Sequence, residues 1–231
     1  MLLIDLLYPA LCPACGKNME QPNTVCEQCI QALNRTEHSW IRQNNVEQVF
    51  EQLNHPTKQR MRHLFFTGGA WLKYDKHTRL LIHKAKYNRQ PEILTQLAAQ
   101  AAHEWDKDHF FDGIELIIPV PLHSKRLRQR GYNQSDFIAQ GLNQVTNIPV
   151  DTTAIIRVKD TPKQARMIGH DARRKNISNA FELINPKALK GKHILIVDDV
   201  ITTGATINEM IKTITPYRSV SVSVFAIAAA L

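Results

Sequence analysis

No run of apolar residues in this sequence is long enough to cross a bilayer. The longest, "VFAIAAAL" at 224–231, falls far short of the roughly 20 residues a membrane helix needs. The leading "MLLIDLLYPALC" has no basic segment ahead of its apolar run, and Asp5 interrupts that run. It therefore reads as an amphipathic first helix and not as a signal peptide. There is no low-complexity tract and no internal repeat. No GxxxxGK[ST] occurs, which excludes a Walker-type phosphate loop. Cysteine is absent after residue 29. These absences point to a cytoplasmic protein.

What is present is ordinary globular material, 43% hydrophobic and 22% charged over 231 residues. That length accommodates one good-sized α/β domain plus a small appendage. The formal charge of +8 suits anionic partners such as nucleotides, phosphorylated sugars or nucleic acid.

Cys12, Cys15, Cys26 and Cys29 form two CxxC pairs with ten residues between them. A CxxC turn aims two thiolates at one point, and two such knuckles complete a tetrahedral site. Four protein sulfurs leave no open position, so a Zn²⁺ held there is structural. Iron is the alternative metal. A cytosolic chain disfavours the disulfide reading. Residues 1–60 are expected to form a metal-binding module and a loosely packed connector. Residues 61–231 would form the main domain, with a separate core.

From about residue 63 the pattern alternates. "HLFFTGGAWLKY" reads as strand, Gly-Gly turn and strand, a hairpin at a sheet edge. "DKHTRLLIHKAKY" reads as a helix with Asp75 as N-cap. Pro91 opens a second helix with Ile93, Leu94, Leu97, Ala101 and Trp105 on one face. "IELIIPV", "TAIIRV", "HILIVDD" and "SVSVSVFAIAA" read as strands. "SDFIAQGLNQV" and "GATINEMIKTI" read as helices between them. Strands separated by helices imply a mainly parallel sheet, with ligands beyond its carboxyl ends.

At one such end stands "ILIVDDVITTGAT" (194–206). The strand is expected to stop at Val197 or Asp198, leaving Asp198 and Asp199 as surface acids of little weight in folding. Thr202, Thr203, Gly204, Ala205 and Thr206 can turn backbone N–H groups and hydroxyls inward at a helix N-terminus, a cradle for phosphate. Two carboxylates repel a phosphate but suit the hydroxyls of a sugar carried on it. A pentose 5-phosphate presents both groups. The second basic element is "PVPLHSKRLRQRGYNQ" (119–134). As a helix, its Lys125, Arg126, Arg128 and Arg130 would splay around the axis. As a loop they could converge on a pyrophosphate.

The apolar strand, acidic pair and T-G-x-T loop resemble the signature of type I phosphoribosyltransferases. The resemblance implies that Asp198 and Asp199 bind the ribose hydroxyls of phosphoribosyl pyrophosphate (PRPP). It likewise implies that Thr202–Thr206 bind the 5-phosphate. A pyrophosphate loop would carry Lys125, Arg126 and Arg130, with Mg²⁺ riding on the pyrophosphate. A mobile loop would carry Gln164, Arg166, Arg173 and Arg174 within "KQARMIGHDARRKNISNAF". Together with "CPACG…CEQC", "KAKY" (84–87) and "RGYNQ", these motifs resemble the ComF/GntX-like competence proteins over nearly the whole chain. That implies a role in DNA uptake, with single-stranded DNA and the uptake machinery as partners. Two outcomes stay open: phosphoribosyl transfer to an unknown acceptor, or non-catalytic PRPP sensing or single-stranded-DNA binding on the same fold. No N-terminal catalytic cysteine is present, which argues against a complete glutamine amidophosphoribosyltransferase.

Overall fold

A computed structural model describes residues 9–39, 41, 43–53, 65–160, 178–214 and 220–230. Its centre is a four-stranded, all-parallel sheet. In chain order the strands are β1 (Phe65–Lys73), β2 (Leu116–Pro119), β5 (His193–Ile201) and β6 (Ser221–Ala229), lying side by side as β1-β6-β5-β2. The inner strands are apolar on both faces, as a doubly covered parallel sheet requires. Leu195, Val197, Phe225 and Ile227 face one core, and Ile194, Ile196, Val222 and Val224 face the other.

Helices α1 (Glu27–Gln31), α3 (Lys76–Tyr87), α4 (Glu92–Trp105) and α6 (Gln134–Thr146) pack on the first face; α2 (Asn45–Leu53), α7 (Pro186–Leu189) and α8 (Ala205–Ile214) pack on the second. The expected caps and faces are in place. Asp75 accepts from the backbone N–H groups of His77 and Thr78 at 2.9 Å. Ile93, Leu94, Leu97, Ala101 and Trp105 are all buried. No helix among the described residues is long and apolar enough to cross a membrane.

Four expectations are corrected. First, Gly68 and Gly69 make no hairpin; they lie inside the single strand β1. Gly69 is there for space: a Cβ on it would come within 2.9 Å of the Trp105 ring. Second, "TAIIRV" does not join the main sheet. Its strand β3 (Ile155–Arg157) pairs antiparallel with β4 (Phe181–Leu183) in a separate ribbon. The free edge of β2 is already occupied, because Ile117 donates to the Pro149 carbonyl at 2.8 Å and accepts from Asp151 at 3.0 Å. The Asp151 carboxylate then turns the chain away by accepting from Thr153 and Ala154. Third, β5 runs on to Ile201, so the acidic pair stands within the strand, paired against β6 as far as Ala229.

Fourth, the described part of residues 1–60 is neither loosely packed nor separate in its core. Cys12, Val25, Cys26, Ile30 and Leu33 belong to one apolar cluster with Leu81, Ile82, Leu94 and Leu97. The Gln96 side chain bonds both backbone groups of Val25, at 2.7 and 2.8 Å, and Lys84 donates to the Pro13 carbonyl at 2.6 Å. Arg35 forks onto Glu104 and lies 4.6 Å over the Trp71 ring. Residues 34–36 pair antiparallel along the outer edge of β1. On the other face Val46 and Phe50 of α2 are buried.

The tightest helix contact is α4 on α6, where a Cβ on Gly141 would overlap the Thr95 carbonyl and meet the Ala98 methyl at 2.8 Å. Gly141→Ala should therefore destabilise the protein. Helix propensity favours Ala by about 1 kcal/mol, but overpacking against backbone costs roughly 1–3 kcal/mol. Thermal unfolding checks this, and a melting temperature raised by the substitution would contradict it.

Candidate functional site

β5 carries its two acids to the carboxyl end of the sheet. Asp199 is buried, 5% exposed, and Asp198 is half-buried beside it. Their proximity is made tolerable by Lys86 at the end of α3, whose Nζ lies 2.6 Å from Asp199 Oδ2. Ser135, in the first turn of α6, donates its hydroxyl to Asp198 Oδ1 at 3.3 Å, and the Asp199 N–H donates to the same oxygen at 2.8 Å. Burial would strip the proton from Lys86, but the Asp199 and Asp198 charges outweigh it and raise its pKa above the ordinary value. Burial, then the like charge of Asp199, pushes the Asp198 carboxyl up to about 7. The Asp199 N–H, Lys86 and the Arg157 guanidinium pull the other way.

Beyond Ile201 the chain turns through Thr202, Thr203 and Gly204 into α8. Gly204 holds φ at +66° and its carbonyl accepts the Asn208 N–H at 2.9 Å. Thr202 is exposed, Thr203 and Thr206 are half-buried, and Ala205 opens the helix. The turn and the acids thus share one end of β5.

The basic stretch is a helix, α5 (Ser124–Arg130), and not a loop. Lys, Arg, Leu and Gln favour helix; His123 caps its start, accepting from the Lys125 N–H. Gly131 ends it at φ +88°, where a side chain is disfavoured. Its cations splay as a helix dictates. Lys125 and Arg126 lie 3.5 Å from Asp160, beyond β3, Arg128 is exposed, and Arg130 reaches Gln134 and stands 5.6 Å from the centre of the Tyr87 ring. Gln164, Arg166, Arg173 and Arg174 lie outside the described residues. The two ends of that segment are tied down: Lys159 donates to the Ser178 carbonyl and the Asn179 N–H to Glu209 of α8, each at 2.6 Å.

Three site residues were not identified from the residue pattern: Lys86, Ser135 and Arg157. Only Lys86 had a signal, the "KAKY" element, which carried no chemistry until the fold set it against Asp199.

The four cysteines meet at one point, with every Sγ within 4.8 Å of the others. Cys15 and Cys26 are 3.7 Å apart. Four sulfurs at about 2.3 Å from a tetrahedral Zn²⁺ stand roughly 3.8 Å from each other, so the geometry fits the ion. Burial opposes the Cys12 thiolate, but N–H groups of Cys26, Cys15 and Ala14 outweigh it and bring the thiol down to about 6. Burial and the neighbouring sulfurs push Cys29 up; a cation among them would relieve that repulsion.

Comparison with known proteins finds a family match for each part of the chain. Residues 3–40 match the double zinc ribbon domain and residues 128–230 the phosphoribosyl transferase domain. The chain is 31% identical over 204 residues to the DNA utilization protein YhgH of Salmonella typhimurium, covering 87% of this chain and 76% of that protein. It belongs to the ComF/GntX-like competence protein family. Within that family it is 37% identical over 137 residues to Competence protein F of Haemophilus influenzae, covering 58% of this chain and 59% of that one. To Competence protein ComFC of Bacillus subtilis it is 23% identical over 203 residues, covering 86% and 68%. Although the matched ribbon is called double, the chain has four cysteines, enough for one four-sulfur centre.

Elemental analysis of protein purified without added metal should give one zinc per chain; metal-free protein with four reactive thiols would contradict it. Because the core is continuous, Cys12→Ser should lower the melting temperature of the whole molecule. Asp198 binds its proton more tightly folded than unfolded, so its contribution to stability is complete below the unfolded pKa of 3.8 and lost as pH rises through about 7. The melting temperature of ligand-free protein relative to that of Asp198→Asn should fall over that interval, while His38 and His193, whose pKa values burial lowers, act in the opposite sense in both proteins.

Proposed function

We propose that this protein binds PRPP at the carboxyl end of β5 and serves in the handling of DNA taken up by the cell. One observation carries the reading: a pair of acids held side by side by Lys86 and Ser135, one turn of chain away from a glycine-hinged helix N-terminus. The carboxylates accept from the vicinal hydroxyls of the ribose. Thr202 to Thr206 hold the 5-phosphate through hydroxyls and N–H groups. Arg130 and Arg126, which line one recess with Lys86, neutralise the pyrophosphate, while Lys125 lies apart on the splayed helix, 3.5 Å from Asp160. Mg²⁺ accompanies the pyrophosphate, as oxygen-rich diphosphates demand. Gln164, Arg166, Arg173 and Arg174, which the family resemblance assigns to a loop over the substrate, lie outside the described residues. DNA handling follows the names of the family members, DNA utilization protein and competence proteins.

Phosphoribosyl transfer would break the C1–O bond to pyrophosphate and form a bond from C1 to a nucleophile, with Asp198 and Asp199 fixing the ribose. Incubation with PRPP, Mg²⁺ and a panel of bases, amines and single-stranded DNA, read by pyrophosphate release, separates transfer from sensing. A second reading, direct engagement of single-stranded DNA, is favoured by the exposed side of α5, where Lys125 is 62% exposed and Arg128 faces solvent.

Calorimetric titration with PRPP tests the site. Each hydroxyl-to-carboxylate bond contributes roughly 1.5–3 kcal/mol, so Asp198→Asn with Asp199→Asn should weaken binding by about two to four decades. Asp199 is no surface acid: removing it alone strands a buried ammonium at a cost of about 3–5 kcal/mol. The variant is therefore paired with Lys86→Met, and its folding verified by thermal melting. Unchanged affinity in a folded variant would refute the assignment.

A further inference from the structure

Beside the acidic pair lies a recess of about 560 Å³ between the end of α3 and helix α5. It is lined by four cations, Lys86, Arg89, Arg126 and Arg130, and by two tyrosines, Tyr87 and Tyr132. That volume lies in the range of cavities that take whole small organic molecules. Four positive charges exceed what one diphosphate requires.

The two tyrosines differ. Tyr132 is locked, its hydroxyl donating to the Ala85 carbonyl and its ring set edge-on against Phe137; it is wall. Tyr87 is 52% exposed, braced from behind by the His83 ring at 4.7 Å, with the Arg130 guanidinium 5.6 Å from its centre. A braced, half-exposed ring beside a guanidinium is a stacking platform for a planar group.

Arg89 adds a separate observation. It follows the end of α3 with φ at +56°, a conformation that glycine adopts without strain and other residues adopt at a cost. The strained position nevertheless carries a long cationic side chain, and that side chain lines the recess. Aromatic platform and cations together recognise a base that bears phosphate.

We propose that this recess is a nucleotide subsite. The base takes the place over Tyr87 that the Arg130 guanidinium holds in the free protein, displacing it onto the outer face of the base, and its phosphate lies against Arg89. Lys86 belongs both to the recess and to the ion pair with Asp199, so the nucleotide stands next to the ribose position. That adjacency to bound PRPP rests on the reading of the acidic pair above; the capacity to bind a nucleotide does not. The ligand's source is a free mononucleotide or one unit of a single strand.

Fluorescence anisotropy with a labelled run of about eight thymidylates, displaced by unlabelled dTMP, tests the site alongside calorimetry with PRPP. Tyr87→Ser should weaken the oligonucleotide at least about fivefold and leave PRPP affinity within about twofold. Arg89→Gly, which suits the backbone there, should weaken the oligonucleotide and lower the salt slope by about 0.7, one phosphate contact. Displacement by dTMP identifies the free nucleotide as a sufficient ligand; oligonucleotide binding that depends on Tyr87 without such displacement identifies the strand. Wild-type oligonucleotide affinity in both variants overturns the proposal. Equal loss of PRPP and oligonucleotide in Tyr87→Ser also overturns it, by making the recess part of the diphosphate site. If the protein does not bind PRPP at all, Tyr87-dependent oligonucleotide binding still stands.

Discussion

One ammonium group makes the rest of the site feasible. Two carboxylates on consecutive residues at the end of an apolar strand repel each other, and burial penalises each further. Lys86, 2.6 Å from Asp199, offsets both effects, and the hydroxyl of Ser135 takes up an oxygen of Asp198. These partners come from α3 and α6, the two helices flanking the crevice. The acids therefore tie the last turn of α3 and the first turn of α6 to the end of β5, and the helices limit how far the acids are exposed. Removing the lysine would leave the strand end charged, buried and unbalanced, a worse state than removing all three groups.

Much of the molecule was legible in its residues because the relevant physics is local. Alternation of apolar strands and amphipathic helices, the Asp75 cap, the Pro91 start and the CxxC knuckles all depend on neighbours a few positions away. Failures arose where a distant contact decides. Gly68-Gly69 carries the chemistry of a turn, yet Trp105, far along the chain, needs the space that Gly69 leaves. "TAIIRV" is a fair strand by composition, but Val150 had already taken the sheet edge. Lys125 to Arg130 could be read as loop or helix, and the anion that Lys125 and Arg126 meet, Asp160, lies outside the stretch. For the same reason Lys86, Ser135 and Arg157 carried no chemistry in the sequence: each acquires its role only from a partner on another element.

The metal centre illustrates the same division. Spacing alone identified the four sulfurs as one site, since two knuckles leave few other solutions. Spacing could not reveal that the knuckles are stitched to α3 and α4 through Lys84 and Gln96, or that Val25, Ile30 and Leu33 complete the core on that face. A segment that resembles an appendage in composition is in packing terms part of the domain.

The strand-like pieces at 34–36 and 149–151 have a further consequence. A parallel sheet ends in two rows of unsatisfied N–H and C=O groups, each a template onto which another extended chain can add. Here Asn34 to Thr36 bond to the last residues of β1, Trp71 and Lys73, and Pro149 to Asp151 bond to Ile117 of β2. The chain thus caps its own sheet on both sides, and the cap on β1 is supplied by the end of the metal-binding region. Further along that edge the side chains of His38, Asn44 and Glu47 bond the backbone of Ala70 and Gly68, so the stretch that follows the cysteine knuckles leaves little of the strand open for another chain to join.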